Sequence, residues 1–453
     1  MKPSILAALL CLSIGLLPDA APAQTAEPAQ TTPAQTAVPA QTAANIPPHI
    51  NAAAEMQHLI DVDATALKKH DNLSRLKVAL QFRILLNNSG AAILHAAHAW
   101  DTLKDTVKVI ESLTEYARLG FGNKAICNGD DTKFAGMQSN PGFDNICRLI
   151  NENSTPVDKA TPVLQIPDTG YLVEDIAFDE QDQSFLFTSV LKHGIFRLTP
   201  DGACRPFVTS PSGWPMMAIK IDHSKQLLWA TEVAMPGFDG QPDSIKGRSA
   251  LLCIDLRSAA IKNRYPAPDG AQWGDMVLDA QGNPIVSDGR SGTIFHLKQE
   301  KWQQIDKGDF IAPQTAALAT DGKQLIVPDY NRGLALLDIA TGAVTWLNFD
   351  PSHPCALNGV DGVYFKGNRL FLTQNGIDPE RVIELTLDKT LKHVIGLSII
   401  ERATKELGEP THGVIAGNNF YFIANSGWDA LDPHGKPKPG ARMTQPTIMR
   451  YPL

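Results

Sequence analysis

Oxygen-bearing side chains stand at equivalent places in a phrase that recurs along this chain. Glu174, Gln314 and Asp361 each lie close to the start of a short apolar segment. Carboxylate and amide oxygens are the ligands that calcium, magnesium and manganese prefer, whereas zinc favours nitrogen and sulfur. If the copies of the phrase surround one axis, the three side chains converge, and the sequence then predicts a divalent-cation site. The alternative on these residues alone is that Glu174 and Asp361 cap strands or bond to neighbouring backbone.

The recurring phrase has the composition of a β-sheet unit. An apolar strand is followed by a turn rich in Gly, Asp or Asn, by a second strand with a polar last residue and by a third strand. Six copies occur, spaced 40 to 57 residues apart, and a four-stranded blade needs roughly 40–50 residues. The sequence therefore predicts an all-β six-bladed β-propeller over residues 161–453, preceded by a small α-helical region. The equivalent positions, which should line the axis, are Glu174, Met217, Gly274, Gln314, Asp361 and Thr411.

The last copy of the phrase is one strand short. It reaches only a third strand before the chain stops at Leu453. We expect the segment Pro162–Ile166, which precedes the first copy, to supply the missing strand and close the ring, since closure removes open sheet edges. The longest spacing lies in the second copy, and the segment 236–247, rich in Gly, Pro and Asp, is predicted to be an insertion there.

The first fifty residues have the composition of a targeting segment and a tether. Residues 1–23 combine Lys2, an apolar core and an A-x-A site, which predicts a signal peptide and a periplasmic or secreted protein. Residues 24–50 repeat Pro, Ala, Gln and Thr, so we expect a disordered linker. No segment is long and apolar enough to predict a membrane span. The net charge of −8 and the lack of a basic block argue against a nucleic-acid partner.

Residues 51–150 show helical periodicity. A single apolar stripe predicts one helix, with Asn88 or Ser89 as its cap and Gly120 at its end. The unit should pack on the propeller, cover one of its mouths, or mediate dimerisation, and the sequence leaves these three open. His95 and His98 lie on the same predicted helix, where surface or packing roles outweigh a metal site. The residues of the stripe are Ile93, Ala97, Trp100, Leu103, Val107, Ile110 and Leu113.

Five cysteines follow the predicted signal peptide. In an oxidising compartment Cys127 and Cys147 are the expected disulfide, because they flank a loop rich in Gly, Asn and Asp. The remaining three, Cys204, Cys253 and Cys355, lie in or near predicted strands and are expected to be buried free thiols.

The repeated phrases resemble those of the senescence-marker-protein/gluconolactonase family of regucalcin-like lactonases, with NHL-type and strictosidine-synthase-like propellers as relatives. The resemblance covers about residues 162–453. It implies a divalent metal on the axis, with Glu174 and Asp361 (in VDGVYF) at ligand positions of the family. Gln314 (in PQTAALATDG) stands where the family usually has a ligand Asn. The fourth ligand position falls on Gly274, which has no side chain. Either its neighbour Asp275 shifts inward as a ligand, or water fills the gap, or the metal is weakly bound or absent.

The resemblance also implies a chemistry. The family hydrolyses lactones with the help of a calcium, magnesium or manganese ion, which polarises the carbonyl and lowers the pKa of bound water. By this resemblance the chain is predicted to be an exported hydrolase of a small lactone or sugar-derived ester. Asp361 would hold the metal and act as the base toward water.

Polar residues at or next to the ends of second strands are the predicted substrate contacts. Among them we single out Asp329, Asn375 and Asn425 as substrate-binding residues. Turn capping is the alternative role for the residues that end these strands. The other second-strand ends are Glu232, Asp288 and Gln374, and the residues that would line the mouth are Tyr330, Trp428 and His412.

A second class of function fits the same pattern. A propeller without catalytic activity could bind a ligand or a partner protein at its mouth. Met217 and Gly274 on the predicted ring favour this reading, whereas Glu174, Gln314 and Asp361 together favour the hydrolase. Fold alone does not decide between them.

Overall fold

The computed structural model describes residues 51–453, so the predicted signal peptide and linker lie outside the described residues. Within that range the chain forms six antiparallel sheets, and each sheet contains one copy of the repeated phrase. The predicted six-bladed β-propeller with a preceding helical region is confirmed. No helix in this range is both long and apolar enough to cross a bilayer.

The helical region contains six α-helices. Four of the five longer helices begin at an Asn, Asp or Ser whose side chain accepts a hydrogen bond from a backbone N–H three residues on, and the fifth begins in a similar way at Asn140. The disulfide between Cys127 and Cys147 ties α5 to α6. The helices are α1 (Ala52–Lys68), α2 (Asn72–Leu85), α3 (Gly90–Thr102), α4 (Thr106–Arg118), α5 (Ala125–Asn128) and α6 (Pro141–Asn153).

The single helix predicted from the apolar stripe is wrong, because the structure divides it into α3 and α4. Lys104 adopts a left-handed conformation with φ of 62°, and the side chain of Asp105 caps α4. An Asp that bonds to nearby backbone favours a new helix start over continuation. Val107, which belongs to the predicted stripe, is consequently 67% exposed. The predicted cap at Ser89 is confirmed.

The blades follow one another in chain order. Their first strands contact one another in a closed ring, so these strands lie nearest the axis. Blades 1 and 2 are formed by β3 (Val173–Asp179), β4 (Ser184–Ser189), β5 (Gly194–Leu198), β6 (Cys204–Thr209), β7 (Met216–Asp222), β8 (Leu227–Val233), β9 (Ser249–Asp255) and β10 (Ile261–Pro266). Blades 3 and 4 are formed by β11 (Asp275–Leu278), β12 (Pro284–Asp288), β13 (Thr293–Lys298), β14 (Lys301–Gln304), β15 (Ala317–Leu318), β16 (Gln324–Asp329), β17 (Gly333–Asp338) and β18 (Val344–Trp346).

Blades 5 and 6 complete the ring. Their strands are β20 (Gly362–Lys366), β21 (Arg369–Gln374), β22 (Arg381–Leu387), β23 (His393–Arg402), β24 (Gly413–Ala416), β25 (Asn419–Ile423), β26 (Thr447–Pro452) and β2 (Thr161–Gln165). The short strands β1 (Val157–Asp158) and β19 (Asn348–Phe349) extend the outer edge of blade 5.

The ring closes as predicted, with a strand from before the first blade. β2 pairs antiparallel with β26, so residues 161 and 450 face each other across the seam. The outermost strand of blade 6 is thus supplied from the start of the propeller, which leaves the ring without an open seam. The insertion predicted at 236–247 contains two short 3₁₀ turns between β8 and β9.

The helical unit packs on the propeller at one end, which we call the mouth. The mouth is the end at which the chain enters the first strands and passes from second to third strands. The backbone N–H of Ala52 donates to Gly308 (2.8 Å), and that of Gly122 donates to Asp378 (2.6 Å). Gly308 precedes blade 4 and Asp378 lies within blade 5, so the helices cover the rim of these two blades.

Candidate axial site

Three buried side chains from blades 1, 5 and 6 converge at the mouth end of the axis. One carboxylate oxygen each from Glu174 and Asp361 and one ring nitrogen of His412 lie within 4.8 Å of one another. All three side chains are buried. The structure thus brings together two of the predicted metal ligands and adds His412, which sequence reasoning had placed only among residues lining the mouth.

His412 is held between two hydrogen-bond acceptors. Its Nδ1 lies 2.8 Å from the backbone oxygen of Glu174, and its Nε2 lies 3.0 Å from Oδ1 of Asp275. The backbone oxygen of Glu174 can only accept, so Nδ1 donates to it. When the Asp275 carboxylate carries no proton, Nε2 donates as well, and the ring is then an imidazolium ion.

The charges around His412 support this assignment. Burial by itself lowers the pKa of His412. The hydrogen bond to Asp275 and the negative charges of Asp175, Asp361 and Asp275 outweigh burial and raise the pKa to about 10. In the absence of a bound cation, the surrounding carboxylates therefore favour the protonated form of His412.

Asp275 lies at the centre of this network rather than at its edge. Its Oδ1 accepts hydrogen bonds from His412 and from Thr315 Oγ1, the latter at 2.8 Å. Asp275 therefore joins the site through His412. Its neighbour Gly274 leaves space, since no heavy atom of the described chain beyond its immediate neighbours lies within 4 Å of the position that a Cβ would take.

Gln314 directs its amide nitrogen toward its own loop. Its Nε2 donates to the backbone oxygens of Ala312 and Pro313, both at 3.2 Å. These bonds tie the side chain to the segment entering blade 4. Of the four predicted metal ligands, Glu174 and Asp361 form the converging pair, Asp275 contacts it indirectly, and the Gln314 amide is held locally.

The two converging carboxylates each accept an N–H bond from another part of the mouth. Trp428 Nε1 donates to Oε2 of Glu174 at 2.5 Å, and Asn375 Nδ2 donates to Oδ2 of Asp361 at 2.9 Å. Hydrogen bonds from neutral N–H groups stabilise the ionised form of a carboxylate. They also restrict the rotation of each carboxylate, so the pair is held in place before anything binds.

The predicted substrate-binding residues Asp329 and Asn425 bond within their own blades. Oδ2 of Asp329 accepts from the backbone N–H groups of Ile311 (2.6 Å) and Ala312 (3.1 Å). Oδ1 of Asn425 accepts from the N–H of Thr447 at 2.8 Å. These bonds fix the loops of blades 4 and 6, which is the capping role considered as the alternative. The residues that end the second strands of blades 2, 3 and 5 bond to nearby loops in the same way: Glu232, Asp288 and Gln374.

The donor set fits a hard divalent cation. Glu174 and Asp361 supply carboxylate oxygens. Magnesium usually keeps several of its waters and is bound through one or two carboxylates, whereas calcium takes six to eight oxygen ligands. Two buried carboxylates this close repel each other unless a proton or a cation offsets their charge. His412 offsets part of that charge but is not a ligand while its nitrogens stay protonated. The residues that would hold the cation are therefore Glu174 and Asp361.

Comparison with known proteins adds fold-level likenesses only. No protein-family model matches the chain, and no curated protein matches it. Among solved structures, a virginiamycin B lyase from Staphylococcus aureus is 14% identical over 65% of this chain and 88% of its own, with a TM-score of 0.41. A putative oxidoreductase (glucose dehydrogenase) from Thermus thermophilus is 12% identical over 65% of this chain and 99% of its own, with a TM-score of 0.43.

A further glucose dehydrogenase is 12% identical over 66% of this chain and 99% of its own, with a TM-score of 0.45. At such identities and scores these likenesses say nothing about what this chain binds or catalyses. The class of the protein, a six-bladed β-propeller with a helical unit on its mouth, follows from its own strand pairing.

Proposed function

We propose that the protein is an exported, divalent-cation-dependent hydrolase that acts on a small lactone or sugar-derived ester at the mouth of the propeller. The observation that carries the proposal is the convergence of Glu174 and Asp361 with His412 within 4.8 Å at the axis. The resemblance of the repeated phrases to the gluconolactonase family supports the reaction class. Export is supported by the composition of residues 1–23.

The residues have distinct roles in this proposal. A bound calcium, magnesium or manganese ion supplies a Lewis acid for the ester carbonyl and lowers the pKa of water. Glu174 and Asp361 would hold that ion. The Asp361 carboxylate would accept the proton of the attacking water as the new C–O bond forms and would return it to the leaving oxygen as the ester C–O bond breaks. Both ring nitrogens of His412 already bond to Glu174 and Asp275, so in this proposal His412 acts through its positive charge and donates no hydrogen bond to the substrate. Trp428 orients Glu174 through its indole N–H.

Elemental analysis combined with a lactone panel tests this function. We expect one divalent ion per wild-type chain, and we expect Glu174→Gln and Asp361→Asn to lose it together with hydrolysis, each falling by at least about tenfold. Glu384→Gln is the matched control, since Glu384 pairs with Arg369 in blade 5 and contacts neither axial carboxylate. Wild-type protein that is free of metal after purification and reconstitution, and inactive on every lactone, would overturn the proposal.

The alternative, a propeller without catalytic activity, is favoured by two observations. Both nitrogens of His412 are engaged, and the amide of Gln314 is tied to its own loop. A network closed in this way can serve to hold the blades together. In that case Glu174→Gln and Asp361→Asn would lower the free energy of unfolding, while metal content and hydrolysis would be absent from wild type and variants alike.

A further inference from the structure

Asn375 joins three blades at the axial site. It follows β21 in blade 5, and its Nδ2 donates both to Oδ2 of Asp361 (2.9 Å) and to the backbone oxygen of Pro410 in blade 6 (2.9 Å). Its Oδ1 accepts from the hydroxyl of Tyr330 in blade 4 at 3.0 Å. Because the amide oxygen faces a donor and the amide nitrogen faces two acceptors, only one orientation of the side chain satisfies all three bonds.

Tyr330 connects this amide to the helical unit. The ring of Tyr330 packs against the apolar cluster formed by α1, α2 and α3 with the loop residues Ile311 and Ala312. Its backbone is fixed as well, since its N–H donates to Ala312 (2.9 Å) and its carbonyl accepts from Gly359 (2.7 Å). The hydroxyl is thus placed by packing on one side and by two backbone bonds on the other.

Gly376 leaves the space that the Tyr330 hydroxyl occupies. A Cβ at position 376 would lie 2.6 Å from Cζ and 2.8 Å from the hydroxyl oxygen of Tyr330. Real Cβ atoms do not approach other heavy atoms this closely, so any side chain at this position would displace the tyrosine. The contact between blades 4 and 5 is therefore shaped around the tyrosine hydroxyl.

We propose that Tyr330 and Asn375 are positioning residues for Asp361, and that through them the helical unit supports the axial site. The chain of contacts runs from the cluster that the helices form with Ile311 and Ala312 to the Tyr330 ring, from its hydroxyl to Asn375, and from Asn375 to the Asp361 carboxylate. The proposal rests on the proposed function in one respect, namely that Asp361 is a cation ligand. It assigns Asn375, predicted from sequence as a substrate contact, to the orientation of a carboxylate instead.

We call the contacts from Tyr330 through Asn375 to Asp361 the relay. A double-mutant cycle tests the relay without metal or substrate. Unfolding equilibrium constants in urea and EDTA would be compared for wild type, Tyr330→Phe, Asp361→Ala and the double variant. Tyr330→Phe keeps the ring that packs on the cluster of the helices with Ile311 and Ala312 and removes only the hydroxyl. We expect the change in the unfolding equilibrium constant of the double variant to differ by at least about threefold from the product of the two single changes. This coupling should disappear when Asn375 is replaced by Ala.

The matched control is Tyr451→Phe combined with Asp361→Ala. The hydroxyl of Tyr451, in β26 of blade 6, bonds to Glu384 in β22 of blade 5 at 3.5 Å and has no path of hydrogen bonds to the axis among the described contacts. For this pair we expect the change in the unfolding equilibrium constant of the double variant to equal the product of the two single changes within about twofold. Coupling for Tyr330 no larger than for Tyr451 would overturn the relay.

Terbium affinity is a measurement that Tyr330→Phe would leave unchanged if Tyr330 had a purely structural role. Tb³⁺ prefers carboxylate oxygens as calcium does, and Trp428, bonded to Glu174, would sensitise its emission. We expect Tyr330→Phe to weaken Tb³⁺ binding by about tenfold and Tyr451→Phe to leave it unchanged. Equal affinities for the two variants, with Glu174→Gln abolishing the emission, would show that the relay does not position the ligand.

The two proposals fail separately in these experiments. If wild-type protein gives no sensitised Tb³⁺ emission, the cation site of the proposed function is wrong, while the metal-free cycle still decides whether Tyr330 is coupled to Asp361. If Asp361→Ala does not fold, a crystal structure of Tyr330→Phe takes its place. If the Asp361 carboxylate and the Asn375 amide keep their original orientations in that structure, the relay is contradicted.

Discussion

Glu380 is a half-buried acid at the mouth, in the loop between β21 and β22. Its Oε2 accepts a hydrogen bond from the backbone N–H of Glu409. Burial raises the pKa of Glu380 to about 7, the negative charge of Asp429 contributes in the same direction, and the N–H of Glu409 opposes both. The fold therefore disfavours the ionised form of this side chain, which ionises more readily in the unfolded chain.

This shift predicts a pH dependence of stability. Between pH 4.5 and about 7 the folded protein binds more protons at Glu380 than the unfolded chain does, so the free energy of unfolding falls as pH rises. Glu380→Gln keeps an acceptor for Glu409 and removes the charge. We expect it to raise the free energy of unfolding at pH 8 by about 1–2 kcal/mol, with little effect at pH 4.5. Urea unfolding at both pH values measures this.

The control for Glu380 is Glu111→Gln, an exposed acid on α4 that pairs with Lys108. Its effect should stay within about 0.5 kcal/mol at both pH values. A Glu380→Gln variant that is less stable than wild type at pH 8 would show that the ionised carboxylate is favoured by the fold.

At the scale of elements, the closing strand pair determines whether the ring is stable. Ile448 in β26 is fully buried and belongs to the cluster shared by blades 6 and 1, with Ile166 and Val173. We expect Ile448→Ala to cost about 2–5 kcal/mol, because it leaves a cavity beside the seam. The free energy of unfolding from urea titration is the measurement.

Arg450 offers the comparison within the same strand. It is exposed and lies two residues from Ile448. Arg450→Ala should change the free energy of unfolding by no more than about 0.5 kcal/mol. Equal costs for the two substitutions would mean that packing at the seam does not govern the stability of the ring.

At the scale of the whole molecule, Arg332 fastens the helical unit to the propeller. Its Nε donates to the backbone oxygen of Leu85 at 2.8 Å, and another of its nitrogens donates to that of Asp309. Its guanidinium lies 4.3 Å from the centre of the Trp346 ring. Arg332 thus links the end of α2 to two parts of blade 4.

Loss of this side chain should loosen the helices locally. We expect Arg332→Ala to speed amide hydrogen exchange in residues 82–90 by about tenfold, since roughly 1–2 kcal/mol of local stabilisation is removed. Hydrogen-exchange mass spectrometry reads this directly. Arg257→Ala is the control, because Arg257 lies on blade 2 and pairs with Asp182. Unchanged exchange in residues 82–90 would show that the helical unit is held by other contacts.

The periodicity of the chain was sufficient to predict the architecture. Strand alternation and turn composition are local properties, so the six copies and the missing fourth strand of blade 6 were recognisable without coordinates. The same holds for Ser89 as a helix cap. The division of the apolar stripe between α3 and α4 was not recognisable from the sequence. The Asp105 cap and the left-handed conformation of Lys104 outweighed the continuous periodicity.

The axial site shows what only the tertiary structure decided. Equivalence between repeats indicated Glu174 and Asp361, since each copy places the same position at the axis. His412 lies one residue beyond that position and reaches Asp275 in blade 3 across the axis. Tyr330 and Asn375 meet across a blade boundary shaped by a glycine. Such contacts join residues tens to hundreds of positions apart, and they exist only because closure of the ring sets the distances between blades.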